Sequence, residues 1–166
     1  MATKAYSFKE KNSATKTTEH LIAELCKNNG YVVFDVSNIK SYQEKDIDLL
    51  MYNKNNKTQF KIEIKSDTYL SPNYFAETIS NISKNSLGCW LKTESDYIFY
   101  YFEKNKELHI IPTKQAQEYV LKKYNKLKSV KVATKNDSGN ILYYTEGKLV
   151  NKKDIQKDVD IKIIYC

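Results

Sequence analysis

The chain has 166 residues, 41% of them hydrophobic and 13% aromatic, with four Gly and two Pro. That composition excludes a disordered or collagen-like chain and suits one folded domain with a buried core. A formal charge of +7 points to a polyanionic partner, and every one of the 27 strongly basic residues is Lys, so phosphate contacts would be point charges rather than bidentate forks.

The three cysteines, Cys26, Cys89 and Cys166, are odd in number and far apart, without CxxC or Cys/His spacing. Neither a disulfide framework nor a zinc site is indicated, and Cys26 and Cys89 read as small core residues of a reducing compartment. The N-terminal segment has no apolar h-region, and no apolar run approaches the roughly 20 residues that span a bilayer. A cytoplasmic protein without a membrane partner is expected.

Residues 1–13 read as a lysine-bearing mobile arm and residues 14–166 as one domain. From Thr15 the pattern is helical: Leu21, Ile22 and Leu25 recur at helical spacing, and Asn28-Asn29-Gly30 is a stop signal. Tyr31 to Val36 is a β-prone run, and a second strand is expected from Ile47 to Tyr52. After a polar turn, a third strand runs from Gln59 to Ser66, with Phe60, Ile62 and Ile64 on one face and Lys61, Glu63 and Lys65 on the other. Pro72-Asn73 then opens an expected second helix with Phe75, Ile79 and Ile82 as its apolar stripe.

Tyr97 to Phe102 and Leu108 to Ile111 predict a hairpin across Glu103–Lys106. Thr113 is expected to cap a third helix running to about Asn125. The remainder reads as a small β extension, with turns at Asp137–Asn140 and Glu146-Gly147 and a last strand within Val159–Tyr165.

The strongest chemical signal lies on the second and third strands, in Glu44-Lys45-Asp46-Ile47-Asp48 and Lys61-Ile62-Glu63-Ile64-Lys65. Adjacent strands can bring Asp48 and Glu63 side by side, and two such carboxylates repel unless a divalent cation neutralises them. Strand alternation puts Lys65 on the same face as Glu63, where an ammonium can orient a water attacking phosphorus. The backbone carbonyl of Ile64 is a further candidate oxygen ligand.

An acid on one strand, then Glu-x-Lys on the next, after an acid-bearing N-terminal helix, resembles the PD-(D/E)XK nuclease superfamily. Asp48 matches its metal-binding aspartate, although Ile47 stands where the motif has Pro, and Glu63 and Lys65 match its Glu and Lys. Glu19 matches the extra helix acid of Holliday-junction resolvases, with a role through a metal-bound water or a second ion. The resemblance covers about residues 15–112 and implies an α/β (α+β) fold with a restriction-endonuclease-like αβββαβ core, a central mixed sheet flanked by helices. The C-terminal helix and β extension over 113–166 fall outside it. It implies Mg²⁺ or Mn²⁺ as cofactor, branched or duplex DNA as substrate, products with a 5′-phosphate and a 3′-hydroxyl, and a homodimer encoded by a phage or bacterium. A restriction- or repair-type nuclease, and a non-catalytic nucleic-acid-binding domain of the same fold, are the alternatives.

Other residues carry less. Asp46 reads as a loop residue, while Glu77, Ser80 and Asn81 would share the polar face of the second helix, with Glu77 and Asn81 as candidate supporting residues. His20 reads as a surface imidazole, and His109 and Trp90 as structural. Lys122, Lys123, Lys126, Lys128, Lys131 and Lys135, with Tyr119 and Tyr124 interleaved, fit a phosphate-gripping surface and a solvated helix end equally.

Overall fold

The computed structural model describes the backbone over residues 5–166 and the side chains from residue 16 onward. In chain order the elements are β1 (Ala5–Ser7), α1 (Phe8–Asn28), β2 (Tyr31–Asp35), α2 (Lys40–Gln43), β3 (Leu49–Asn53), β4 (Thr58–Asp67), β5 (Asn73–Asn81), β6 (Ser86–Leu87), α3 (Cys89–Lys92), β7 (Tyr97–Phe102), β8 (Glu107–Pro112), α4 (Thr113–Lys123), β9 (Lys128–Lys135), β10 (Ile141–Asn151), α5 (Lys152–Ile155) and β11 (Lys162–Tyr165). The result is a mixed α+β architecture dominated by strands. Among the described residues, no helix is long and apolar enough to cross a membrane.

A six-stranded mixed sheet, ordered β11-β8-β7-β4-β3-β2, forms the centre. β2, β3 and β4 are an antiparallel meander, β7 lies parallel to β4, and β7, β8 and β11 are antiparallel neighbours. On one face, Ile22, Ala23 and Cys26 of α1 pack against Leu49, Met51, Ile62, Ile64, Phe99 and Tyr101. On the other, Ile98, Tyr100, Phe102 and Ile111 meet Tyr74, Ala76 and Val150 of a second sheet, together with Trp90 and the apolar side of α4. β7 is therefore covered on both faces, which is why Tyr97 to Phe102 reads as an unbroken apolar and aromatic run. Helix α1 stops where Asn29 and Gly30 donate to the carbonyls of Leu25 and Lys27, with Gly30 at φ +86°, a conformation glycine adopts without a Cβ clash.

Several local expectations are corrected. The segment from Asn73 to Asn81 is strand β5, not a helix. Phe75 and Ile79 are compatible with either period, but Tyr74, Ala76 and Thr78 alternate inward, and β10 supplies an antiparallel ladder over Asn73–Ile79. The connection from β4 to its parallel neighbour β7 thus runs through β5, β6 and the single turn of α3 rather than through a long helix. Helix α1 begins at Phe8 instead of Thr15, and Ala5–Ser7 pairs with β9, so much of the segment assigned to a mobile arm belongs to regular elements. Residues 1–4 of that arm lie outside the described residues.

In the C-terminal part, Glu146-Gly147 is a register shift within β10 rather than a turn. Thr113 is the first residue of α4, with Pro112 at the cap position, and its hydroxyl pairs instead with Ser95 Oγ at 3.0 Å. The expected C-terminal extension is built into both sheets: β9 and β10 pair with β1 and β5, and β11 forms an edge of the central sheet.

Candidate active site

The site begins where β3 and β4 part. Their ladder reaches Leu49 opposite Ile62, so one step further Asp48 stands opposite Glu63. The Asp48 backbone is held on both sides: its N–H donates to Ile62 O at 2.8 Å, and its carbonyl accepts Val36 N–H at 2.9 Å. Its carboxylate Oδ2 then accepts the Ile64 N–H at 2.7 Å, replacing the partner that β3 no longer provides. In an extended strand the N–H and C=O of one residue point to the same edge, so the Ile64 carbonyl faces the same gap.

Because Ile62 and Ile64 are buried under α1, alternation turns Glu63 and Lys65 to the opposite face. There Lys65 Nζ meets Glu63 Oε1 at 2.8 Å, with the Glu63 side chain 5% exposed and that of Lys65 36%. Glu19 approaches from α1, half-buried, within the electrostatic reach of Asp48, Asp35 and Lys65. Asp48, Glu63 and Lys65 therefore stand together where β3 and β4 part, and Glu19 reaches Asp48 and Lys65 electrostatically from α1.

Their acidities record this crowding. Glu19 is raised to about 7, by burial first and then by Asp48 and Asp35, against the pull of Lys16 and Lys65. Burial pushes the Glu63 carboxyl well up; Lys65 opposes the rise and Asp48 adds to it. Asp48 is raised by burial, offset in part by the Ile64 N–H and by Lys65. For Lys65, burial alone would lower the ammonium, but Cys89, Glu63 and Glu77 outweigh it and hold it well above its ordinary value. Burial also pushes the Cys89 thiol well up, so at neutral pH that thiol is uncharged and the carboxylates carry the effect on Lys65.

Among the described residues, no three His, Cys, Asp or Glu side chains stand together closely enough to hold a metal ion as they are oriented. Glu63 is turned to Lys65, and Asp48 to the Ile64 N–H. The donor chemistry nevertheless fits a hard divalent cation: carboxylate oxygens whose pKa values are raised by burial first, with neighbouring carboxylates adding to the rise.

Glu77 stands on β5 rather than on a helix, accepts the Cys89 N–H at 3.4 Å, and lies near enough to Lys65 to stabilise its charge. Asn81 belongs elsewhere: its Oδ1 accepts the Lys84 N–H and shapes the turn after β5. Asp46 is a loop residue at φ 47°, paired with Lys92 at 3.3 Å. His20 is exposed, whereas His109 is buried between the Tyr74 hydroxyl and Glu107. Of the C-terminal lysines, Lys123 pairs with Asp158 at 3.1 Å and covers the Tyr119 ring, while Lys122, Lys126 and Lys128 are exposed.

Two neighbours of the site were not singled out from the sequence. Asp35 ends β2 opposite Leu49, which brings it beside the Asp48 segment; the signal was an acid closing a strand next to the one that carries Asp48. Cys89 starts α3 beside Lys65, and nothing in its sequence surroundings marks it. No family model, curated protein or solved structure matches this chain.

Proposed function

We propose that this protein is a metal-dependent endonuclease of the PD-(D/E)XK type that hydrolyses DNA phosphodiesters, built on the restriction-endonuclease-like αβββαβ arrangement with β5, β6 and α3 in place of the second helix. The observation that carries this reading is the register that sets Asp48 opposite Glu63, with Lys65 at 2.8 Å from the Glu63 carboxylate and the Ile64 carbonyl facing the same gap. A solvated sheet face explains an exposed Glu-x-Lys. It does not explain a Glu whose side chain is 5% exposed, with the Asp48 carboxylate beside it.

Asp48, Glu63 and the Ile64 carbonyl would hold Mg²⁺ or Mn²⁺, with Glu19 assisting through a water or a second ion. The bound cation supplies Lewis-acid stabilisation of the phosphate charge and a more acidic water. Lys65, released from Glu63, would orient that water and stabilise charge developing on phosphorus. Glu77 stabilises the Lys65 ammonium from the side of β5. Resemblance to the superfamily implies a 5′-phosphate and a 3′-hydroxyl as the new ends.

Within this class we favour a structure-selective enzyme acting on branched DNA as a homodimer, because a surface with lysines and no arginine grips phosphate without bidentate readout of base edges. A module that only binds nucleic acid is disfavoured, since Asp48 and Glu63 would repel phosphate unless a cation screened them. Incubation with a four-way junction, linear duplex and single-stranded DNA, each with Mg²⁺ or EDTA, tests the reading. Mg²⁺-dependent cleavage supports it, junction preference supports the structure-selective form, and binding without any cleavage overturns the nuclease assignment.

A further inference from the structure

A cleft of about 230 Å³ opens between α1 and the end of β2, bordering the carboxylate cluster at Glu19 and Leu49. Lys16, His20, Ala23 and Lys27 line it from one stripe of α1, at the spacing that stacks side chains along a helix. Ala23, Val33 and Leu49 make an apolar floor, and Lys16, His20 and Lys27 a polar rim that carries two lysine charges. From Lys16 to Lys27 the helix rises about 16 Å at 1.5 Å per residue.

Two acids also line the cleft. Asp35 is turned onto its own loop, where Oδ1 accepts both the N–H and the hydroxyl of Ser37, at 2.9 and 2.6 Å. Glu19 stands at the end nearest Asp48 and belongs to the cluster already described. Lys27 is tied to Glu24 by an exposed i,i+3 pair at 2.7 Å, a contact cheap to exchange for a phosphate.

We infer that this cleft is a subsite for one strand of nucleic acid flanking the scissile phosphate, with sugar rings over Ala23, Val33 and Leu49 and non-scissile phosphates at Lys16 and Lys27. The inference rests on the proposed nucleic-acid substrate and names the path of the strand beside the acids. A volume of about 230 Å³ takes part of one strand rather than paired bases, as the unpaired arm of a branch would supply it.

The test is fluorescence anisotropy with a single-stranded 12-mer and a 12-base-pair duplex, in EDTA, across about 50–200 mM KCl. The full-length protein is compared with Lys16→Ala/Lys27→Ala, with Lys16→Arg/Lys27→Arg, and with Lys54→Ala/Lys104→Ala as an equal change of charge on turns that do not line the cleft. Two lost single-strand contacts should flatten the log K against log salt slope by about 1.4 and weaken binding roughly ten-fold near 100 mM. The Arg pair should retain binding, the duplex should respond less than the single strand, and the thermal midpoint should be unchanged. A loss no larger than that of the Lys54/Lys104 control, an equal loss for duplex, or no binding by the unaltered protein overturns the subsite. Failure of the nuclease reading looks different: normal single-strand binding at the cleft with no Mg²⁺-dependent cleavage.

Discussion

The Asp48 carboxylate accepts the Ile64 N–H at 2.7 Å, so the side chain that would bind metal also completes the hydrogen bonding of β4 where β3 ends. Asp48→Asn keeps an acceptor for that N–H and removes only the charge. It should fold normally and lose cleavage by at least about two orders of magnitude, as should Glu63→Gln. Single-turnover cleavage with Mg²⁺ beside a thermal melt checks both; near-normal cutting by either variant excludes the proposed site.

Lys65 separates chemistry from simple ion pairing. Lys65→Ala should retain DNA binding and lose roughly 10² to 10⁴ in rate. It also strands Glu63, whose folded pKa is already raised well above 4.5 by burial. A raised carboxyl contributes stability below its unfolded value and loses it as pH rises through the folded one. The variant should therefore match the unaltered protein near pH 4.5 and fall progressively below it towards pH 8, read from melting midpoints across that range. An exposed pair would instead change stability by only about 0–1 kcal/mol and leave activity intact.

Glu19 gives a pH window with a defined upper boundary. Its folded value is about 7 against 4.5 unfolded, so the folded state holds the extra proton in between, and that contribution disappears as pH rises through 7. Glu19→Gln mimics the protonated side chain. It should melt higher than the unaltered protein at pH 8, melt equally near pH 4.5, and cut more slowly. Adding Mg²⁺ should narrow the gap at pH 8, because a bound cation relieves the same repulsion. Equal midpoints at pH 8 without metal would remove Glu19 from the cluster.

His109 has the opposite sign. Burial lowers its basicity, with Glu107 partly restoring it, so its neutral form is favoured in the fold. That contribution is complete above about pH 6.5 and is lost as pH falls towards the lowered folded value. His109→Leu should abolish this acid slope. It should also cost about 1–3 kcal/mol at pH 8, because the Tyr74 hydroxyl, 2.5 Å from Nδ1, loses its buried partner. Urea titrations at pH 5.5 and 8 measure both effects.

Gly88 sets how closely α3 approaches β5. Its φ of −80° is ordinary, but a Cβ there would lie 2.5 Å from the Glu77 carbonyl oxygen. Gly88→Ala should cost about 1–3 kcal/mol by overpacking and slow turnover by moving Glu77 and Cys89 away from Lys65. A variant as stable and as active as the parent would show that α3 shifts freely.

Alternation alone put Ile62 and Ile64 on one face of β4 and Glu63 and Lys65 on the other, because side-chain direction in a strand has a strict period of two. The Gly30 stop and the β7–β8 hairpin were equally local, written in glycine freedom and β-prone runs bounded by polar turns. Residues 73–81 were not: Phe75 and Ile79 satisfy both periods, and only the ladder to β10 decides for a strand. Nor does any local pattern bring Asp35 beside Glu19, or Glu77 and Cys89 around Lys65. Those neighbours come from different elements, and their pKa values depend on burial, which exists only once β5 and α1 have closed over opposite faces of the central sheet.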